Sequence, residues 1–364
     1  MNPAVLNRIP GAVVALLMVL LLSSWFAPGG SSVRTQQVDF WLVWIICMVV
    51  LALPLTLLES ALARRSKTSP LQALSTLTRE ADVKPVWRLV GWLAVGVMTL
   101  IAGGMAHQSA GYALKSLADS GVVVPDLALW AAFPVLAIGL SVFPRLAVGL
   151  GVVFAILAVE ISTFHQGIGR WAWTDFSLIE WSSAVVLALV ASGLGMGLYW
   201  QAALSQHRDQ ASQSALPIWA AQVIAGVLFA FAQGIHSHWA ITLYAVALLC
   251  GSAYLVAMVR VQLAARGLPI ALQWGMVGAA MVLWLTPWST AWVILASVWG
   301  LAVCAVYAIF SGWQMKISHL RKALSFDHEA VYNLWRIAVR LVIPAAIVLA
   351  LVGMLQQAYV LVLQ

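Results

Sequence analysis

Long apolar runs separated by short polar links form the pattern of this chain. The runs are continuous, without period-two alternation, and most approach or exceed the roughly 20 residues a helix needs to cross a bilayer. In order they predict eleven helices: about Ile9 to Phe26, Phe40 to Ala63, Leu89 to Leu117, Leu127 to Leu140, Leu146 to Phe164, Trp181 to Ser205, Leu216 to Gln233, His238 to Ala264, Pro269 to Leu285, Ala291 to Met315 and Tyr332 to Val360. A β-barrel would show short alternating segments instead. The longest polar link, Arg64 to Arg88, predicts a short surface helix capped near Thr68 or Ser69, with Pro70 in its first turn. The first run follows Arg8 and lacks a small-x-small cleavage site, so it reads as helix one and not as a secretory signal.

The sixth run differs from the rest. Its middle, Ala191 to Trp200, reads ASGLGMGLYW and carries Gly193, Gly195 and Gly197. Each glycine costs a helix roughly 1 kcal/mol relative to alanine, so three in five residues predict a broken helix at a binding site. The alternative is close helix packing of the small-xxx-small kind, through Gly193 and Gly197.

Composition narrows the class. Of 364 residues 63% are apolar and only 9% charged, with a mean hydropathy of +0.96. That leaves a single all-α polytopic membrane domain, 1–364, and little room for a soluble one. The net charge of +7 does not indicate nucleic acid, because the basic residues flank apolar spans, where they direct topology. With the N-terminus inside, sixteen of the 19 Lys and Arg fall on the cytoplasmic side, among them Arg8, Arg64, Arg65, Arg208, Lys316 and Arg340; only Arg34, Lys115 and Arg170 fall outside. The expectation is an inner-membrane protein with a cytoplasmic N-terminus and an external C-terminus. Cys47, Cys250 and Cys304 lie inside apolar runs without metal-type spacing and read as core residues. Tryptophans at span ends, including Trp41, Trp44, Trp87, Trp92, Trp239, Trp288 and Trp313, read as an interfacial belt.

Ionisable groups inside spans cost about 2.5–3.5 kcal/mol on insertion scales and mark candidate sites. Glu59 ends helix two; His107 and Gln108 interrupt helix three beside Gly103 and Gly104, as cavity lining or as an interhelical hydrogen bond; Glu160, His165 and Gln166 end helix five, where solvation accounts for them. Gln201, Gln222 and Gln233 read as interhelical glue. G-x-S-x-G, H-E-x-x-H, a Walker loop and paired carboxylates are all absent from the sequence, so no enzyme is expected.

Several stretches taken together carry a resemblance. LALPLTLLESALARRSKTSP, with Pro54, Leu55, Glu59, Arg64 and Ser69, resembles the end of the second helix of the neurotransmitter:sodium symporter family. VGWLAVGVMTL and GYALKSL are similar to its third helix, Leu194-Gly195-Met196-Gly197 to the L-G-F-G of its unwound sixth, and NLWRIAVRLVIPAAIVL to its last. They occur in the family's order and cover most of the chain. The resemblance implies the LeuT-type fold, with a first five-helix repeat over 9–164, an inverted second over 181–315 and an eleventh helix over 332–360. It also implies a small amino-acid-like solute at mid-membrane, held by Ser23, Ala106, Gly193, Gly195, Met196 and Gly197, with Ser252 a candidate Na+ ligand and Na+ or H+ the coupling ion. Glu59 matches a family acid that hydrogen-bonds the broken helix; proton carriage is its other reading.

The chain departs from the family at helix one. GAVVALLMVLLLSSWFAPGG has no asparagine, no arginine and no glycine between Gly11 and Gly29, and Ser23, Ser24 and Trp25 alone interrupt its apolar face. Ala106 stands where the family has a tyrosine, and Ala253 and Tyr254 follow Ser252 where hydroxyl ligands are expected. These departures weigh against sodium coupling. The expected function is a divergent secondary transporter working by alternating access, with the bilayer and a small solute as partners. The alternative is a non-transporting scaffold with a protein partner subunit.

Overall fold

The computed structural model describes residues 6, 9–26, 37–166, 170–205, 211–231, 235, 237–315 and 317–363. Arg8, Arg34, Arg208, Gln233 and Lys316 lie outside the described residues, as does the side chain of Gln166. Among the described residues every named element is helical: α1 Gly11–Phe26, α2 Val38–Ser66, α3 Pro70–Glu80, α4 Leu89–Asp119, α5 Asp126–Leu140, α6 Pro144–Gln166, α7 Leu178–Ala191, α8 Trp200–Ser205, α9 Ala211–Phe231, α10 His238–Ala265, α11 Ile270–Leu283, α12 Ser289–Gln314, α13 Ile317–Leu324 and α14, which starts at Glu329 and runs to Leu363. Seven of these are long and apolar enough to cross a membrane, and α1, α5, α7 and α11 are shorter apolar helices. The polytopic all-α architecture read from the apolar runs is therefore the one observed.

α10 forms the axis. Apolar around most of its circumference and buried along most of its length, it packs against α4 and α6. α1 lies against α9, α7 and α6, with Leu17, Leu20, Leu21 and Leu22 fully enclosed. The outer helices turn Ile46, Leu127, Val135, Val153, Val282, Leu341 and Leu355 outward, which suits a lipid environment.

Two prolines explain two local widenings. Pro54 and Pro344 have no N–H to donate, and the helix loosens into π turns over Met48–Ala52 and Ala338–Val342 just ahead of them. Tryptophan indoles take carbonyls in these segments: Trp219 Nε1 donates to Met48 O at 2.8 Å, and Trp313 Nε1 to Arg340 O at 3.2 Å. The acceptor in the second case lies four residues before Pro344, the carbonyl that the proline leaves without its helical donor.

α7 opens with a capping box. Ser177 Oγ accepts from the Glu180 N–H at 3.3 Å, and Glu180 Oε2 accepts from the Ser177 N–H at 2.7 Å. Glu180 also accepts from Gln37 Nε2 at 3.1 Å, tying α7 to the start of α2. Ser177→Ala is expected to cost about 1 kcal/mol, visible as a lowered melting midpoint in detergent.

Two expectations need correction and one is sharpened. Trp41 and Trp44 are not interfacial: both are buried, and the missing Cβ of Gly226 makes room for the Trp44 ring. Trp239, Trp288 and Trp313 are exposed, as a belt requires. α3 is the short surface helix expected, with Ser69 at its N-cap and Pro70 in its first turn; its inner face, Leu71, Ala73, Leu74 and Leu77, is buried, and Arg65 on α2 pairs with Glu80 at 3.0 Å. α13 falls in a stretch read as a polar link; Leu320, Ala323 and Leu324, spaced i, i+3 and i+4, bury one face of it.

Candidate functional site

The break in the sixth run is real. α7 ends in a Schellman motif: the Gly193 N–H donates to Val190 O at 2.9 Å and the Leu194 N–H to Leu189 O at 3.1 Å, with Gly193 at φ +92°. Gly195 and Gly197 follow at φ +68° and +74°, and Leu194 shares the left-handed region at +47°. All three glycines thus serve a backbone shape that side chains disfavour, and helix resumes only at Trp200. Leu194 is held in that uncommon conformation by packing, with Gly300 of α12 beneath it.

Opening a helix among apolar neighbours exposes amides that need partners. Glu59 of α2 supplies one. It is buried, its Oε1 accepts from the Tyr199 N–H at 2.7 Å, and the Trp200 amide turns towards the same carboxylate. The Tyr199 hydroxyl returns across the gap to donate to Ala191 O at 2.8 Å, bridging both ends of the break. Trp200 Nε1 donates to Thr68 O at 2.8 Å, and Pro70 lies so close to Gly197 that a Cβ there would sit 2.8 Å from Pro70 Cγ. The start of α3 therefore braces the break from below.

A cavity of about 30 Å³ opens beside it, lined by Glu59, Ser192, Gly195, Gly197, Cys304 and Tyr307 among others. That is room for one or two waters. The buried Tyr307 hydroxyl has no hydrogen-bond partner among the described residues. A carboxylate, a hydroxyl and unwound backbone can hold a water, a proton or a small cation here.

The other sequence-read residues are distributed as follows. Gly195 and Gly197 line the cavity with Glu59; Ser23, Ala106, Gly193 and Met196 do not. Ser23, Ala106 and Met196 are buried in close packing. α1 is continuous, and next to Ser23 the Ser24 hydroxyl lies 2.5 Å from that of Tyr244, which also donates to Leu20 O at 3.2 Å. Ser252 Oγ donates to Ala102 O at 2.7 Å. Gln222 meets Thr56 at 3.4 Å across α9 and α2, the interhelical role read for it. Cys47, Cys250 and Cys304 are buried and free. Glu160 and His165 are exposed. His107 and Gln108 line a different cavity, described below. Groups of three or more His, Cys, Asp or Glu placed to hold a metal are absent among the described residues. Sequence reasoning missed Thr68, Pro70, Tyr199, Trp200 and Tyr307 as parts of the site. Tyr199 and Trp200 lie two and three residues after Gly197, a signal that was available; the others arrive from distant segments.

The sequence matches no family model and no curated protein. Among solved structures the chain is similar to the crystal structure of MhsT in complex with L-phenylalanine, at 16% identity and a TM-score of 0.61, over 92% of this chain and 98% of that one. The fold is thus the LeuT-type fold that the motif order implied, in a divergent form.

Proposed function

We propose that this chain is a secondary transporter that moves a small amino-acid-like solute by alternating access, with Na+ or H+ as the coupling ion. The observation that carries the reading is the helix broken over Ser192 to Tyr199 and capped by a buried carboxylate from a neighbouring helix, within a fold that in MhsT accompanies bound L-phenylalanine. Half-helix ends at the midplane are where such folds place solutes and ions. The cavity at the break has room for one or two waters but not for an amino acid, so a solute enters when one bundle rocks against the rest. Residues 9–164 and 181–315 are the two repeats on this reading, with the N-terminus cytoplasmic in an inner membrane. Glu59 is the natural proton carrier, since it is the acid that touches the break.

Uptake into proteoliposomes tests this. Concentrative uptake of at least one amino acid under a sodium or proton gradient is expected, and is lost when that gradient is dissipated. No flux for any solute under either gradient overturns the reading.

A second reading follows from α1. Its leucines fill the centre of the bundle and it has no break, which suits a chain that keeps the fold as a scaffold for a partner subunit. A partner copurifying at fixed stoichiometry, together with absent uptake, is the result that favours it.

A further inference from the structure

A second polar-lined cavity lies between α4, α5 and the α11–α12 turn, with a volume of about 500 Å³, well within the range of small-molecule sites. No residue of Ser192 to Tyr199 lines it. Its wall is a row of rings. Trp25 meets Trp284 at 5.3 Å between centroids, and His107 sits between Trp284 at 6.1 Å and Trp130 at 5.4 Å, tilted by only about 30° from each, with interplanar angles of 32° and 34°. Trp284 is pinned by its Nε1 donating to Leu100 O at 2.9 Å. Gly104 is what lets this row close up, because a Cβ there would collide with both Trp25 and Trp284.

Three polar atoms in this wall are buried without a hydrogen-bond partner among the described residues: His107 Nδ1, Gln108 Oε1 and Trp130 Nε1. An orphaned buried polar group costs about 1–3 kcal/mol, and these three lie beneath the cavity's surface, not on it. Lys115 stands at the mouth and makes no ion pair among the described residues; Ser289 and Thr290 add hydroxyls. No carboxylate lines the cavity. The titratable groups facing it are His107, Lys115 and Tyr112, and Asp126 reaches only the neighbouring cleft that Lys115 also borders.

We propose that this cavity binds a small organic anion with a planar apolar body: its carboxylate is taken by Lys115 at the mouth, and its ring lies along the tryptophan row. The absence of an acid leaves an α-ammonium group unpaired, so the site selects carboxylates over zwitterionic amino acids. It is therefore separate from the break and does not depend on transport there.

The test is calorimetric titration of the purified full chain with phenylacetate, phenylacetamide and L-phenylalanine. Phenylacetate is expected to bind at least tenfold more tightly than either of the others, and Lys115→Gln is expected to erase its advantage over the amide. A side chain at Gly111 points into the cavity, where an added Cβ meets nothing within 4 Å. Gly111→Leu should fill the site and weaken phenylacetate at least tenfold. Gly139→Leu, on α5 with equally free space but outside the cavity, should leave it unchanged. Equal affinity for acid and amide, unaltered binding in Gly111→Leu, or no binding to the folded chain overturns the proposal. So does loss of binding in Glu59→Gln with retention in Gly111→Leu, which would place the ligand at the break instead. Should Gly111→Leu fail to fold, the exposed Lys115→Gln variant decides alone.

Discussion

A Glu59→Leu variant is expected to lose about 2–3 kcal/mol of stability and all uptake. The reason is the asymmetry of hydrogen bonding: leucine removes the acceptor, but the Tyr199 N–H at 2.7 Å belongs to the backbone and cannot be removed with it. The helix has already broken there, so no i−4 carbonyl waits to take over, and the cavity beside it, about 30 Å³, has room for one or two waters at most. Glu59→Gln separates capping from charge. Its carbonyl oxygen can still accept from Tyr199, so the melting midpoint should stay within about 1 kcal/mol of the native chain. If Glu59 carries the coupled proton, the same variant loses the pH dependence of uptake; unchanged pH dependence removes that role and leaves capping. A leucine variant that melts with the native chain would overturn the capping role itself. Thermal melting in detergent and uptake at several pH values read all of these outcomes.

Gly195→Val should be the most damaging change in the break. Two penalties add. At φ +68° any L side chain costs roughly 1–2 kcal/mol, and a β-branched one more. A Cβ there would also lie 2.9 Å from Val303 Cγ1 and 3.2 Å from Cys304 N. The second neighbour is backbone and cannot rotate away, so α12 must shift as a whole. A loss of at least about 3 kcal/mol and abolished uptake are expected. The control is Gly139→Ala, in the last turn of α5 with open space around it, where alanine costs nothing sterically and gains up to about 1 kcal/mol in helix propensity. If both variants melt alike, the positive φ of Gly195 is not required.

Much of this was readable from one-dimensional pattern. A bilayer forces each apolar run to satisfy its own backbone hydrogen bonds, so run length translates directly into helix, and the helices fall within a few residues of expectation. Glycine clustering announced the break for the same reason: inside a membrane, three glycines need a backbone purpose. Glu59 stood out because a buried acid is costly unless it has donors to meet. α13 did not stand out, since eight residues carrying Arg321 and Lys322 bury only a narrow face. Trp44 misled because position at a span end says nothing about which way a ring points; the absent Cβ of Gly226, some 180 residues away, turned it inward.

The chain's own pattern thus pointed to the apolar helices, to the place where one of them breaks and to the acid that can cap it, because these follow from local rules of length, glycine content and burial cost. Which partners close around that break was settled in three dimensions. Thr68, Pro70 and Tyr307 come from segments about 130 residues before it or 110 after it, and no periodicity links them to Gly197 or Glu59. The row of Trp25, Trp284, His107 and Trp130 is likewise assembled from three helices and the turn that follows α11. Contacts between distant segments depend on how helices cross, and crossing depends on side-chain shapes along whole faces, which a sequence read one window at a time does not contain.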